Sequence, residues 1–262
     1  MSGGCPGWYC MTNKSIRFQR ILGVRFLIGH ADDVVEVVSE CGGLVVVPSG
    51  PGLSRLPYDG GYRAALLGAD FAICDSAYMV FLWNLIQHDD IPKLSGLKYV
   101  HSLIGSEKLR LPKASFWVMP SKASASRNID WLVGKGIEVT EKDTYLAPAY
   151  DGSISDPELL GVLEKHQPPH IVLAIGGGIQ EKLGLYLRQN LSYKPTIHCI
   201  GAAIAFLSGD QVRIPAWVDS LGMGWLLRCL SDPKQFIPRY WGARGLGVLI
   251  IRYRDRLPPF ES

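Results

Sequence analysis

The chain has no apolar run long enough to cross a bilayer; the longest, Tyr78 to Ile86, is broken by Asn84 and suits a buried helix. It does not open with a basic segment and an apolar core, so residues 1–18 are expected to form a poorly ordered extension and not a secretory signal. None of the six cysteines, at positions 5, 10, 41, 74, 199 and 229, forms a C-x-x-C pair. Cys74 and Cys199 fall inside apolar strand patterns, where a thiol behaves as a small hydrophobe, and a reduced, cytosolic compartment is expected. The histidines show no metal-ligand spacing, and Pro168-Pro169 between His166 and His170 excludes a shared helical face. There is no Asp-x-Asp pair; Asp32-Asp33 and Asp89-Asp90 are adjacent and suit helix ends. Charge is sparse, 19% of residues with a net of +3, which argues against a nucleic-acid partner.

What is present is an ordinary globular composition, 47% apolar over 262 residues, enough for one large domain or a domain with an appendage. Strands are expected at Ile21–Ile28, Leu44–Val47, Phe71–Cys74, Trp117–Met119, Ile137–Thr140, Ile171–Ile175 and Thr196–Ile200. Helices are expected at His30–Glu40, Tyr62–Leu67, Ser76–Gln87, Ser124–Val133 and Pro157–His166, with another opening at Gln180. Short apolar strands alternating with helices predict an α/β fold: a Rossmann-like, mostly parallel sheet with helices on both faces. After about Trp217 the strand patterns stop and Trp, Tyr, Arg and Leu intermix. The domain expectation is therefore a catalytic unit over 19–217 and a small helical appendage over 218–262.

The densest stretch runs from Ile171 to Tyr240. A buried strand meets Gly176-Gly177-Gly178 and then a helix start, an arrangement that lets an anion approach the backbone. The glycines do not complete a dinucleotide fingerprint, because Glu181 holds the third position, and no P-loop Gly-Lys-Ser/Thr ending follows. On glycines alone, a nucleotide site and tight strand-to-helix packing both stand.

The spacing of the whole stretch says more. Gly176, Gln180-Glu181, Ile200-Gly201-Ala202, Ser208-Gly209, Arg213-Ile214-Pro215-Ala216-Trp217, Gly222 to Arg228, Asp232-Pro233 and Arg239-Tyr240 follow one another as the motifs of the WecG/TagA/CpsF glycosyltransferases do. The chain resembles that family in order and spacing. It departs at Gly178-Ile179, where Pro-Lys is usual, at Gly224, where the family has Glu, and at Gln235, where it has Arg. The resemblance implies an inverting bacterial hexosyltransferase with no cofactor, and the missing Asp-x-Asp pair and His/Cys clusters predict that it is metal-independent. The donor would be a UDP-sugar of glucose or N-acetylmannosamine type. The acceptor would be a polyprenyl-diphosphate-linked sugar, used in making exopolysaccharide or another surface polymer.

Candidate residues follow. Asp75 ends a buried strand and, on its type alone, is a good helix cap. The resemblance makes it the general base, with Asp75-Ser76 standing for Asp-Gly. Ser49 lies at the family's T-x-N turn, with Val47 near the threonine; a plain Pro-Gly turn is the other reading. Lys93 stands where an arginine is expected near the diphosphate, or is simply solvated. Gly176, Gly178, Gln180 and Glu181 would meet the diphosphate and the sugar, although Glu181 also suits a helix dipole. Tyr150 would line the nucleotide pocket or pack beside it. Arg213 and Arg228 would meet sugar or lipid phosphates, or stack on Trp217 and Trp225.

The aromatic and basic tail is expected to hold the enzyme on the anionic, cytoplasmic face of the cell membrane as a peripheral protein, or else to pack on the core. Two other classes remain open from sequence: a dinucleotide- or S-adenosylmethionine-dependent enzyme, and a non-catalytic relative. The first would want an acidic residue after the next strand, where Gly201-Ala202-Ala203 stands.

Overall fold

The computed structural model describes residues 16–151, 154–209, 226, 229–230, 233–234, 241 and 244–261. Its strands are β1 (Arg17–Ile21), β2 (Val24–Ile28), β3 (Gly43–Val46), β4 (Phe71–Ile73), β5 (Ser115–Met119), β6 (Thr144–Leu146), β7 (His170–Leu173) and β8 (Thr196–Cys199). They form one sheet in the order β1-β2-β4-β3-β8-β7-β5-β6. β1 pairs antiparallel with β2, and every other pairing is parallel. β3, β4, β5, β7 and β8 are buried along their whole length, as the unbroken apolar runs require when helices cover both faces.

The helices are α1 (Ala31–Cys41), α2 (Gly50–Leu53), α3 (Gly60–Gly68), α4 (Ala77–Gln87), α5 (Gly96–Gly105), α6 (Glu107–Arg110), α7 (Lys122–Val133), α8 (Pro157–His166), α9 (Ile179–Asn190), α10 (Ala203–Ser208) and α11 (Gly245–Tyr253). One face of the sheet is covered by α2, α3, α4, α8, α9 and α11, through Leu53, Leu66, Trp83, Leu163, Leu183 and Ile250. The other is covered by α1, α5, α6, α7 and α10, through Val34, Tyr99, Leu109, Leu132 and Ile204. The Rossmann-like α/β architecture expected from the sequence is the observed one.

Three expectations are corrected. Ile21–Ile28 is not one strand: Leu22 and Gly23 turn the chain with positive φ, and Arg17 and Phe18, expected in the loose extension, lie in β1. Ile137–Thr140 is not a strand. Ile137 and Val139 are buried, but the backbone runs on into a 3-10 turn at Glu141–Asp143 and then β6, which the sequence did not announce. α5 was also unannounced; Ser95 caps it by accepting from Lys98 N–H.

The last helix is part of this body. Leu246 and Ile250 of α11 are fully buried in the main core against α4 and α2. The chain then returns to the first hairpin, where Leu22 N–H and Gly23 N–H donate to the carbonyls of Arg254 and Asp255 at 2.7 and 2.9 Å. The residues from 210 to 225, and most of those up to 243, lie outside the described set.

Deep in the second core, Tyr99 Oη lies 2.7 Å from His198 Nδ1, and His198 Nε2 lies 3.1 Å from His170 Nδ1. Burial pushes both imidazoles down, His170 to about 4 and His198 well below the ordinary value; the charge of Lys108 adds to the first shift and His170 to the second. Both histidines are therefore neutral in the fold, and the unfolded chain binds protons that the folded chain refuses. Stability is full above the unfolded value near pH 6.5 and declines as pH falls toward 4. His170 alone is expected to cost about 3 kcal/mol across that window. Urea unfolding at pH 7 and pH 4.5 should show this loss, and His170→Gln should show a shallower one. Equal losses in the two proteins would place the acid sensitivity elsewhere.

Candidate active site

In an open parallel sheet the loops at the carboxyl ends of the strands carry the chemistry, because helix starts and unpaired backbone gather there. Here that edge brings together Val47 and Ser49 after β3, Asp75 after β4, Gly176 to Gly178 after β7 and Gly201 after β8. Asp75 and the glycine turn are three strand positions apart, about 14 Å at the usual spacing.

Asp75 is half-buried, and it does not cap α4. That task falls to Ser76, whose Oγ accepts from Met79 N–H at 3.2 Å. Asp75 reaches across instead: its Oδ1 accepts from Gly96 N–H, the first residue of α5, at 2.8 Å. The carboxylate is thus fixed at a helix start, where negative charge is favoured. A Cβ placed on Gly96 would lie 3.2 Å from Val47 Cγ1 and 3.7 Å from Asp75 Oδ1, so Val47 stands beside Asp75. Lys93 is held near the same strand end, since its neighbour Leu94 donates its N–H to Cys74 O at 3.1 Å. Ser49 caps α2 by accepting from Gly52 N–H at 3.4 Å.

At the glycine turn, Gly176 and Gly177 are exposed, and nothing lies within 4 Å of where a Cβ on Gly176 would sit. Gly178 has φ +95°, a conformation that a side chain would strain. The start of α9 is not an open row of donors. Gly178 N–H is taken by Glu181 Oε2 at 2.6 Å, and Glu181 is only 2% exposed. Gln180 is 3% exposed and spends its amide inside the protein. Its Oε1 accepts from Gly201 N–H at 2.6 Å, and its Nε2 donates to Glu181 Oε1 at 3.1 Å and to Cys199 O at 3.4 Å. Gly201, at φ +58°, accommodates that contact. Gln180 and Glu181 therefore build the floor of the edge, and the expected contact of Gln180 with sugar hydroxyls would require it to leave these bonds.

Tyr150 lies after β6, at the far side of the sheet. Its hydroxyl donates to Asp156 Oδ2 at 2.7 Å, and Tyr145 donates to Oδ1 at 3.1 Å; Asp156 in turn caps α8. Burial and this carboxylate hold the Tyr150 hydroxyl well above the ordinary phenol value. Arg213 and Arg228 lie outside the described residues. Among the described residues no three His, Cys, Asp or Glu side chains gather as a metal site would need.

The sequence reading missed a polar group beside the glycine turn. Asp59 caps α3 by accepting from Tyr62 N–H at 2.9 Å, and it receives Lys182 Nζ at 2.8 Å and Arg55 Nη2 at 3.1 Å. Burial pushes its carboxyl up, but the bonds from Lys182 and Tyr62 and the two positive charges outweigh this and hold it below the ordinary carboxylate value. The i, i+4 spacing of Arg55 and Asp59 was the one available signal.

Removing the Gln180 amide would take away the acceptor of the buried Gly201 N–H and the donor to Glu181 Oε1 and Cys199 O. Gln180→Ala is expected to lower stability by about 1–3 kcal/mol, read as a shift in the urea midpoint. A midpoint shift within about 0.5 kcal/mol would show that the amide does not hold the edge.

No curated protein matches the chain. Residues 19–258 match the family model described as the glycosyl transferase WecG/TagA/CpsF family, so the chain belongs to that family of glycosyltransferases.

Proposed function

We propose that the protein is an inverting hexosyltransferase that carries a hexose of glucose or N-acetylmannosamine type from a UDP-sugar to a polyprenyl-diphosphate-linked sugar, in the synthesis of an exopolysaccharide or other bacterial surface polymer. The observation that carries this reading is the placement of Asp75. It follows β4 at the carboxyl edge of the sheet, is released from helix capping by Ser76, and is oriented by Gly96 N–H. In the proposed step Asp75 takes the proton of the acceptor hydroxyl. The freed oxygen pair attacks the anomeric carbon, the bond from that carbon to the diphosphate oxygen breaks, and UDP leaves with its electron pair. A carboxylate serves because its conjugate acid forms only as the nucleophile develops. Metal independence belongs to the proposal; basic side chains at the edge would carry the charge of the leaving diphosphate.

The test is transfer from a panel of UDP-sugars to a synthetic lipid-diphosphate sugar, with and without EDTA. Turnover is expected with one or more donors and is expected to survive EDTA. Asp75→Asn keeps an oxygen for Gly96 N–H, so the fold and UDP binding should persist while turnover falls by about a hundredfold or more. Wild-type turnover in the Asn variant would place the base elsewhere, and loss of activity in EDTA with recovery in manganese would overturn metal independence.

We also propose that the enzyme works on the membrane surface, since its acceptor is a lipid. No described helix is long and apolar enough to cross a membrane. Two helices packed side by side do present apolar side chains outward: Tyr78, Phe81 and Leu85 of α4 at i, i+3 and i+7, and Val248 and Ile251 of α11. Exposed Arg244, Arg252, Arg254 and Arg256 lie on or beside α11. Apolar side chains next to cations suit an anionic lipid interface. Cutting away α11 would remove Leu246 and Ile250 from the core, so substitution is the cleaner probe. Phe81→Asp with Ile251→Asp should abolish flotation with anionic vesicles while leaving the melting temperature near wild type. Undiminished flotation would exclude this face as the anchor.

A further inference from the structure

The Glu181 carboxylate, capping the start of α9, raises a problem for any anion arriving at the glycine turn. It consumes the Gly178 N–H and offsets the positive end of the helix. The residue at the first helical position is Ile179, where the family pattern has lysine, and its side chain packs against the core. The turn therefore brings little positive charge of its own. The charge comes from another loop. Arg55, between α2 and α3, places Nη1 3.6 Å from where a Cβ on Gly178 would sit.

Arg55 and Lys182 differ in how they are engaged. Lys182 is mostly covered and lies 2.8 Å and 3.0 Å from the two oxygens of Asp59. Arg55 gives Asp59 only Nη2, and its side chain is 60% exposed. Asp59 is shared by the two cations, and of these Arg55 is the one whose guanidinium stands within 4 Å of where a Cβ on Gly178 would sit. A guanidinium anchored through one nitrogen keeps the rest of its planar fork for phosphate oxygens, which an ammonium cannot match. The open space over Gly176 and the exposed Gly177 lie in the same turn.

We infer that Arg55 is a diphosphate-binding residue: it holds the diphosphate of a nucleoside-diphosphate donor over the Gly176–Gly177 turn. The inference rests on the sugar-nucleotide reading above and adds a residue to it. Asp59 positions Arg55, and Lys182 balances Asp59.

The test is titration of wild type, Arg55→Gln and Arg55→Lys with UDP, uridine and inorganic pyrophosphate, followed by NMR. Arg55 is 60% exposed and Asp59 keeps Lys182 and Tyr62 N–H without it, so little change in fold stability is expected from either substitution. Arg55→Gln is expected to weaken UDP and pyrophosphate about 10- to 100-fold and to leave uridine unchanged, and Arg55→Lys should recover part of the loss. Arg55→Gln that binds pyrophosphate as wild type does overturns the inference. So does a loss for uridine equal to that for UDP, because a merely structural role would move both. If wild type binds pyrophosphate but not UDP, and Arg55→Gln loses pyrophosphate, the anion site stands and the uridine-nucleotide reading falls. If wild type binds neither, both fall.

Discussion

The hydrogen bonds of the Gln180 amide hold the candidate site in shape. Where parallel strands end, the ladder ends too, and backbone groups must find other partners or remain exposed to water. At the end of β8, Gly201 N–H and Cys199 O find theirs in Gln180, a side chain from the helix after the neighbouring strand. Glu181, the next residue, does the same for Gly178 and also ties itself to Gln180. Two consecutive side chains thus close both glycine turns in a buried network. The cost is electrostatic. A helix start that would attract an anion is met by a carboxylate, and the positive charge has to be supplied from elsewhere on the edge. That constraint is why the loop carrying Arg55 and Asp59 matters to a site it does not adjoin in sequence.

Much of the fold was legible because burial on both faces leaves a plain trace. Leu44 to Val46, Phe71 to Ile73 and Ile171 to Leu173 are continuous apolar runs, and each is a central strand. The errors fall where burial and strand geometry separate. Ile137 and Val139 alternate and are buried, yet they fill the core from an irregular segment. β1 carries Arg17, Gln19 and Arg20 at an edge, where one side of the strand has no partner and polar residues are tolerated.

The site was legible in its residue types and not in their division of labour. Asp75 and Ser76 are both good caps, and only geometry shows that the serine caps α4 while the aspartate turns to Gly96. Gln180 and Glu181 matched a motif, but a motif does not say whether a side chain faces a ligand or its own backbone. Tyr150 likewise faces Asp156: a half-buried phenol favours an acceptor, and it finds one in the cap of α8. Arg55 left almost no trace, because its proximity to Gly178 arises from the packing of α3 against α9.

The departures from the family pattern share a physical character. Val47 lies beside Asp75, Ser76 follows it, and Ile179 opens α9. None opposes the backbone around it: Ser76 makes a cap, Ile179 packs against the core, and Val47 stands where only a Cβ on Gly96 would crowd it. At positions 47 and 179, where the resemblance would put polar side chains, the edge carries the methyl groups of Val47 and Ile179, and the frame is intact. A wall of methyl groups discriminates weakly between ligands that differ by a hydroxyl, whereas a buried hydroxyl rejects any ligand that leaves it unpaired. The sheet, the two glycine turns and the Asp75–Gly96 bond all stand with methyl groups at positions 47 and 179, so the frame of the edge does not depend on polar side chains there.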